Sequence, residues 1–127
     1  MARISLSDSE WEIMSIVWRK GKATVREVWQ ILYPDAEKAY TTVQTVMERL
    51  VKKGVLQKDK IGLVNFYSPV ISKQEAAHQI TRKLANRLFG GSFGSLAAYL
   101  IGSGDLTQEE IRLIKEMIQQ KEKERKK

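Results

Sequence analysis

In the stretch AYTTVQTVMERLVKKG, residues 39 to 54, Val43, Val46, Met47, Leu50 and Val51 fall at i, i+3, i+4, i+7 and i+8, the stripe of a helix laid on a core. Gly54 ends it, with Lys52 and Lys53 in the last turn, where cations suit the helix dipole. Four sites match the Ser/Thr-x-x-Glu capping box, in which hydroxyl and carboxylate satisfy orphan amides at a helix start: Ser7/Glu10, Thr24/Glu27, Ser72/Glu75 and Thr107/Glu110. Leu6, just before the first cap, is placed to staple onto Trp11. The first helix then runs from about Asp8 to Lys20 with Trp11, Met14 and Trp18 on one face. The second runs from Val25 to about Tyr33, burying Val28, Trp29 and Leu32 and stopping before Pro34.

After Gly54 the period changes. VLQKDKIGLVNFYSPV carries β-branched and aromatic residues on both sides of a turn containing Gly62, which predicts a hairpin that Pro69 ends. Its tip, around Lys58, Asp59, Lys60 and Gly62, is expected to be polar and mostly basic. A fourth helix follows Ser72 to about Phe89, with Ala77, Ile80, Leu84 and Leu88 in register, and GGS at residues 90 to 92 breaks it. Phe93, Leu96, Ala97, Leu100 and Ile101 form a short stripe. The last helix, from about Gln108, turns Ile111, Ile114 and Ile118 inward, and the tail KEKERKK is expected to fray into solvent.

Three helices followed by a hairpin is the order of a winged helix. The expected fold is mainly α with a small β-hairpin: a winged helix-turn-helix DNA-binding domain over residues 1–72 and a C-terminal helical dimerisation region over residues 73–127. In such a domain the third helix enters the major groove and its N-terminal part meets base edges. That accounts for the polar face of this helix. Thr41, Thr42 and Thr45, around Gln44, are poor helix formers for an exposed face. They suit base edges, where a threonine methyl packs on thymine and Gln pairs with adenine. Arg49, Lys52 and Lys53 behind them suit phosphates, which position without reading sequence. Thr24 and Arg26 at the start of the second helix, Tyr40 before the threonines, and Lys58 and Lys60 on the wing complete the candidate contacts. Glu48 shares the outer line; its expected partner is Lys52 at i+4, with a cytosine amino group as the alternative. The other role for the threonines is local capping or back-bonding, more natural for Thr42 than for mid-helix Thr45.

Composition narrows the chemistry. The chain has 127 residues, 43% hydrophobic and 29% charged, with a formal net charge of +7 that favours a polyanionic partner. It has no cysteine and one histidine, His78, so thiolate zinc sites, disulfides and cysteine nucleophiles are excluded, and no metal or cofactor is expected. No nucleophile–base constellation is visible, and GSGD lacks the strand-to-helix setting of a phosphate loop, so no catalytic residue is assigned. MARISLSDSEWE has no apolar core of a signal peptide, and no run nears the roughly 20 residues of a membrane span. A cytoplasmic protein with no membrane partner is expected. A winged helix used for protein contact is the competing class; it would place an apolar patch where the third helix has Thr and Gln.

LSDSEWEIMSIVWRKGKATVREVWQIL, TTVQTVMERLVKKGVLQKDK and FGGSFGSLAAYL with DLTQEEI resemble the penicillinase repressor family, of BlaI/MecI type with CopY copper regulators as relatives. The resemblance runs from about Ile4 to Ile118. It implies a homodimeric transcriptional repressor whose winged helix binds an inverted-repeat operator in double-stranded DNA and whose C-terminal helices form the dimer interface. The residues set for that interface are Leu84, Leu88, Phe89 and Phe93, then Leu96, Ala97, Leu100 and Ile101, then Ile111 and Ile114. Short amphipathic helices that enclose little core alone point the same way. The chain departs from the family's signal-receiving devices. The Asn-Phe bond cleaved in antibiotic-responsive members corresponds to Tyr99-Leu100, and the cysteines of copper-responsive members are missing. The operator sequence and the inducing signal are left open.

Overall fold

A computed structural model describes residues 4–126. Met1 to Arg3 and Lys127, on which the ends of the leader and tail readings fall, lie outside them. The elements are α1 (Asp8–Lys20), α2 (Val25–Leu32), α3 (Tyr40–Lys52), β1 (Leu56–Ile61), β2 (Val64–Pro69), α4 (Lys73–Leu88), α5 (Phe93–Gly102) and α6 (Gln108–Arg125). The chain forms two compact units, divided within α4 between Ile80 and Thr81.

In the first unit, three capped or closed helices pack on one core. Ser7 and Thr24 form complete capping boxes with Glu10 and Glu27, so each helix start is pinned at both donors. Ile13, Met14, Ile16 and Val17 of α1, Val25 and Val28 of α2, and Val43, Val46, Met47 and Leu50 of α3 are buried together with Val55, Leu56 and Tyr67. The inward face of α1 is thus centred on Met14 and Val17, and Trp11 and Trp18 are half-buried at its margin. Trp18 Nε1 donates to the Ile71 carbonyl at 2.8 Å, so its ring holds the exit of the hairpin.

The hairpin is antiparallel, with Leu56 opposite Pro69 and Ile61 opposite Val64, leaving Gly62 and Leu63 as a two-residue loop. Gly62 has φ +65°, the positive φ needed at the first central position of a II′ turn. Ala23, between α1 and α2, pairs with Tyr67 through both backbone bonds (2.9 and 2.8 Å) and anchors β2 to the helices.

The second unit has little interior of its own. Gly90 and Gly91, both at positive φ, end α4, and the Ser92 hydroxyl accepts from the Ser95 N–H to start α5. Thr107 and Glu110 form a complete capping box on α6. Leu96 and Ala85 are buried, whereas Leu84, Leu88, Leu100, Ile101, Ile111 and Ile118 are exposed. Two expectations are corrected. At Ser72 the hydroxyl accepts from the Glu75 N–H, but the Glu75 carboxylate accepts from the Gln79 amide. The tail does not fray at Lys121: α6 continues to Arg125, supported by a Lys121–Glu124 pair at 3.5 Å.

Candidate nucleic-acid interface

α3 lies with one side sealed in the core and the other in solvent. Its buried stripe is Val43, Val46, Met47 and Leu50; Thr41, Thr42, Gln44, Thr45, Arg49 and Lys52 are exposed. Ala39, its N-cap, has no side chain able to cap the helix. The back-bonding hydroxyl is that of Thr45, which donates to the Thr41 carbonyl at 2.8 Å, not that of Thr42. The bond uses the Thr45 hydroxyl hydrogen and leaves the oxygen able to accept.

The cations behind the threonines are not all in solvent on their own. Glu10, 1% exposed, accepts from Lys53 Nζ at 2.7 Å, from Arg49 Nε at 3.1 Å and from the Ser7 N–H at 2.8 Å. Burial pushes this carboxyl up, but the bonds from Lys53, the Ser7 N–H and Arg49 outweigh it and hold it at about 2. The capping residue of α1 is therefore also the clasp between α1 and α3. Arg49 is held through Nε, so the outer edge of its guanidinium points away from the clasp.

A second knot joins α3 to the hairpin. Tyr67 Oη donates to Glu48 Oε1 at 2.6 Å, and Lys58 Nζ lies 3.0 and 3.1 Å from the two Glu48 oxygens. The expected Glu48–Lys52 pair is thus replaced by Glu48–Lys58. β1 returns alongside α3 and brings Lys58 into direct reach, while Lys52 acts on Glu48 only as a more distant charge. The Tyr67 and Lys58 bonds hold the Glu48 carboxyl below the usual range. Burial, reinforced by Glu48, pushes the Tyr67 phenol far up, so it remains a donor.

Between α3, the start of α2 and the hairpin lies a cleft of about 320 Å³, lined by Thr24, Arg26, Tyr40, Gln44, Leu63 and Asn65. Arg26 sits 5.7 Å over the Tyr40 ring, which meets Trp29 edge-on at 6.0 Å. Four of the assigned residues, Thr24, Arg26, Tyr40 and Gln44, thus line one cleft with Asn65, which shares a hairpin face with Lys60, Lys58 and Tyr67. The tip itself departs from expectation. It is apolar, with Leu63 95% exposed and Ile61 and Val64 also exposed, because Lys58 and Lys60 lie behind Ile61 on β1. Asn65, Leu63 and the carboxylate knots were not assigned from sequence. Their partners are far apart along the chain, and only the strand alternation of Asn65 with Tyr67 hinted at the shared face.

In the second unit, α5 and α6 enclose an open apolar groove of about 590 Å³ floored by Ala97, Leu100, Ile101, Ile114, Met117 and Ile118. Of the residues set for the dimer interface, Leu96 is packed inside this unit at 8% exposure. Phe89 meets Tyr99 in a tilted ring contact at 5.7 Å, and Phe93 lies under Arg82 at 4.0 Å. Among the described residues, no three His, Asp or Glu side chains stand close enough to hold a metal ion, and no helix is long and apolar enough to cross a membrane.

Three helices, a two-stranded wing and a polar outer face on the third helix define a winged-helix protein of the DNA-binding class. The chain belongs to the penicillinase repressor family, whose model matches residues 6–120. It is 30% identical to the penicillinase repressor of Bacillus licheniformis over 115 residues, which is 91% of this chain and 90% of that protein. It is similar to the solution structure of the DNA-binding domain of the repressor BlaI (34% identity, TM-score 0.51, 59% of this chain and 93% of that one). It is also similar to monomeric B. licheniformis BlaI in complex with the blaP half-operator (33% identity, TM-score 0.50, 57% of this chain and 89% of that one). The relatives are repressors, not enzymes.

Proposed function

We propose that the chain is a sequence-specific transcriptional repressor that acts in the cytoplasm as a homodimer on an inverted-repeat operator. Residues 1–72 bind DNA and residues 73–127 pair the two copies. The observation that carries the reading is the two-sidedness of α3: a core-sealed stripe behind, and Thr41, Thr42, Gln44 and Thr45 in front. Short side chains with hydroxyl, methyl and amide groups allow close approach to base edges. Lys52, Lys60 and the outer edge of Arg49 meet phosphates, and Thr24, Arg26 and Tyr40 receive the backbone at the start of α2. The binding of a half-operator by the similar BlaI supports the same use of this unit.

The open groove of α5 and α6 supports the dimer. Apolar side chains left in solvent on both helices are covered most simply by the same surface of a second copy, through an isologous two-fold contact. Anisotropy titration of the intact protein with a duplex from its own upstream region, against a random duplex of equal length, tests the first part. Equal affinity for both at moderate salt contradicts it, since charge alone gives that result.

A further inference from the structure

Glu48 stands on the outward line of α3, one turn beyond Thr45 and one turn before Lys52. A carboxylate on a face turned to a polyanion repels it unless the charge is answered close by. Here both oxygens are occupied. Lys58 and Tyr67 lie directly opposite one another across the hairpin, so their side chains leave the same face, and both end on Glu48. The Tyr67 ring is fully buried in the core of the unit and carries the backbone pairing to Ala23, so its hydroxyl is delivered from a rigid base.

Resting on the DNA-binding reading above, we propose that Glu48 is a positioning residue, a strut that sets the wing against the recognition helix and keeps Lys58 from acting as a phosphate ligand. Glu48 has no partner on the DNA. Its carboxylate fixes where Lys60, Asn65 and Leu63, further out on the hairpin, meet the duplex beside the groove that α3 enters. The strut is held at one end by α3 and at the other by a cross-strand pair, so it resists tilting of the hairpin in the direction that would lift its tip. Lys58 is neutralised on site, and the positive charge the wing offers to phosphates is that of Lys60.

The test uses the intact chain and two duplexes, one from its own upstream region and one of random sequence. Tyr67→Phe keeps the buried ring and every charge and removes only the hydroxyl. It is expected to weaken binding to the upstream duplex roughly five- to tenfold, the scale of one net hydrogen bond, and to leave binding to the random duplex unchanged. Hydroxyl-radical protection is expected to fade at the outer positions under the wing and to persist at the centre. Glu48→Gln removes one negative charge facing DNA. It is expected to raise random-duplex affinity roughly twofold or more while the ratio of upstream to random binding falls. Lys58→Ala bares the carboxylate and lowers binding to both duplexes, and adding Glu48→Gln restores binding to the random duplex. A base-reading or purely fold-stabilising role of Glu48 does not give that restoration.

If Tyr67→Phe and Glu48→Gln leave the ratio within about twofold of the parent, the strut is overturned. If the parent itself does not distinguish the duplexes, the DNA reading fails, and hydrogen exchange of the free protein decides the strut alone. Faster exchange of the β1 amides in Tyr67→Phe, with α1 unchanged, upholds it, and unchanged exchange rejects it.

Discussion

Glu10 serves two helices, α1 and α3, that sequence places far apart. Its carboxylate caps α1 through the Ser7 N–H and clasps Arg49 and Lys53 of α3. Its carboxyl sits at about 2 in the folded chain against an ordinary 4.5. A folded value below the unfolded one gives stability that is present above pH 4.5 and is lost as pH falls through the window toward 2. Glu10→Gln is therefore expected to cost on the order of 2 kcal/mol at pH 7 and to flatten the loss between pH 4.5 and 2, measured by urea midpoints across that range. At the base-facing residues, Gln44→Ala and Thr45→Ala are expected to relax base preference by about 1–3 kcal/mol at single positions. Lys60→Ala is expected to weaken all sequences alike and to reduce the salt slope by about 1. Binding titrations over an operator substitution series separate the two behaviours. Thr45→Val retains the methyl and loses the bond to the Thr41 carbonyl, so preserved preference in this variant assigns the reading to the methyl.

At the scale of elements, local signals in the sequence were strong and long-range ones were silent. The period of Val43, Val46, Met47 and Leu50 located α3 and told its two faces apart, and three of the four capping boxes form in full. Capping boxes and stripes are properties of neighbours a few residues apart, so one sequence displays them. For Glu48 the sequence points to Lys52, because i+4 is the nearest reach along a helix. The return of β1 beside α3 supplies Lys58 instead, and only the tertiary fold states that. Charges close to a turn along the chain suggest a basic wing tip. The register puts Gly62 and Leu63 in the loop and sets Lys58 and Lys60 back along the strand. Gly62, at φ +65°, is the residue this loop depends on. Gly62→Ala leaves no clash but forces a left-handed residue, and is expected to cost about 1 kcal/mol in thermal melts.

For the whole molecule, the contrast between the units is the clearest fact. Among the described residues, one unit seals seventeen buried hydrophobic residues in a continuous core. The other leaves Leu100, Ile101, Ile111, Met117 and Ile118 in solvent. On the proposed reading those side chains belong to a core completed by a second copy. Leu100→Asp and Ile118→Asp are expected to give folded monomers in sedimentation velocity, with operator affinity lost through the lost second half-site. Leu96→Asp differs: it buries a charge inside its own unit and is expected to unfold that region, so it does not report on pairing.

The central claim is that the outer face of α3 reads bases. Anisotropy at moderate salt, with a duplex from the chain's own upstream region against a random duplex, measures it directly. The account predicts a preference of at least about 10³-fold for the upstream duplex, most of which is lost in a Gln44→Ala, Thr45→Ala double variant that keeps its fold. Equal affinities for the two duplexes, or a preference untouched by the double variant, would contradict it.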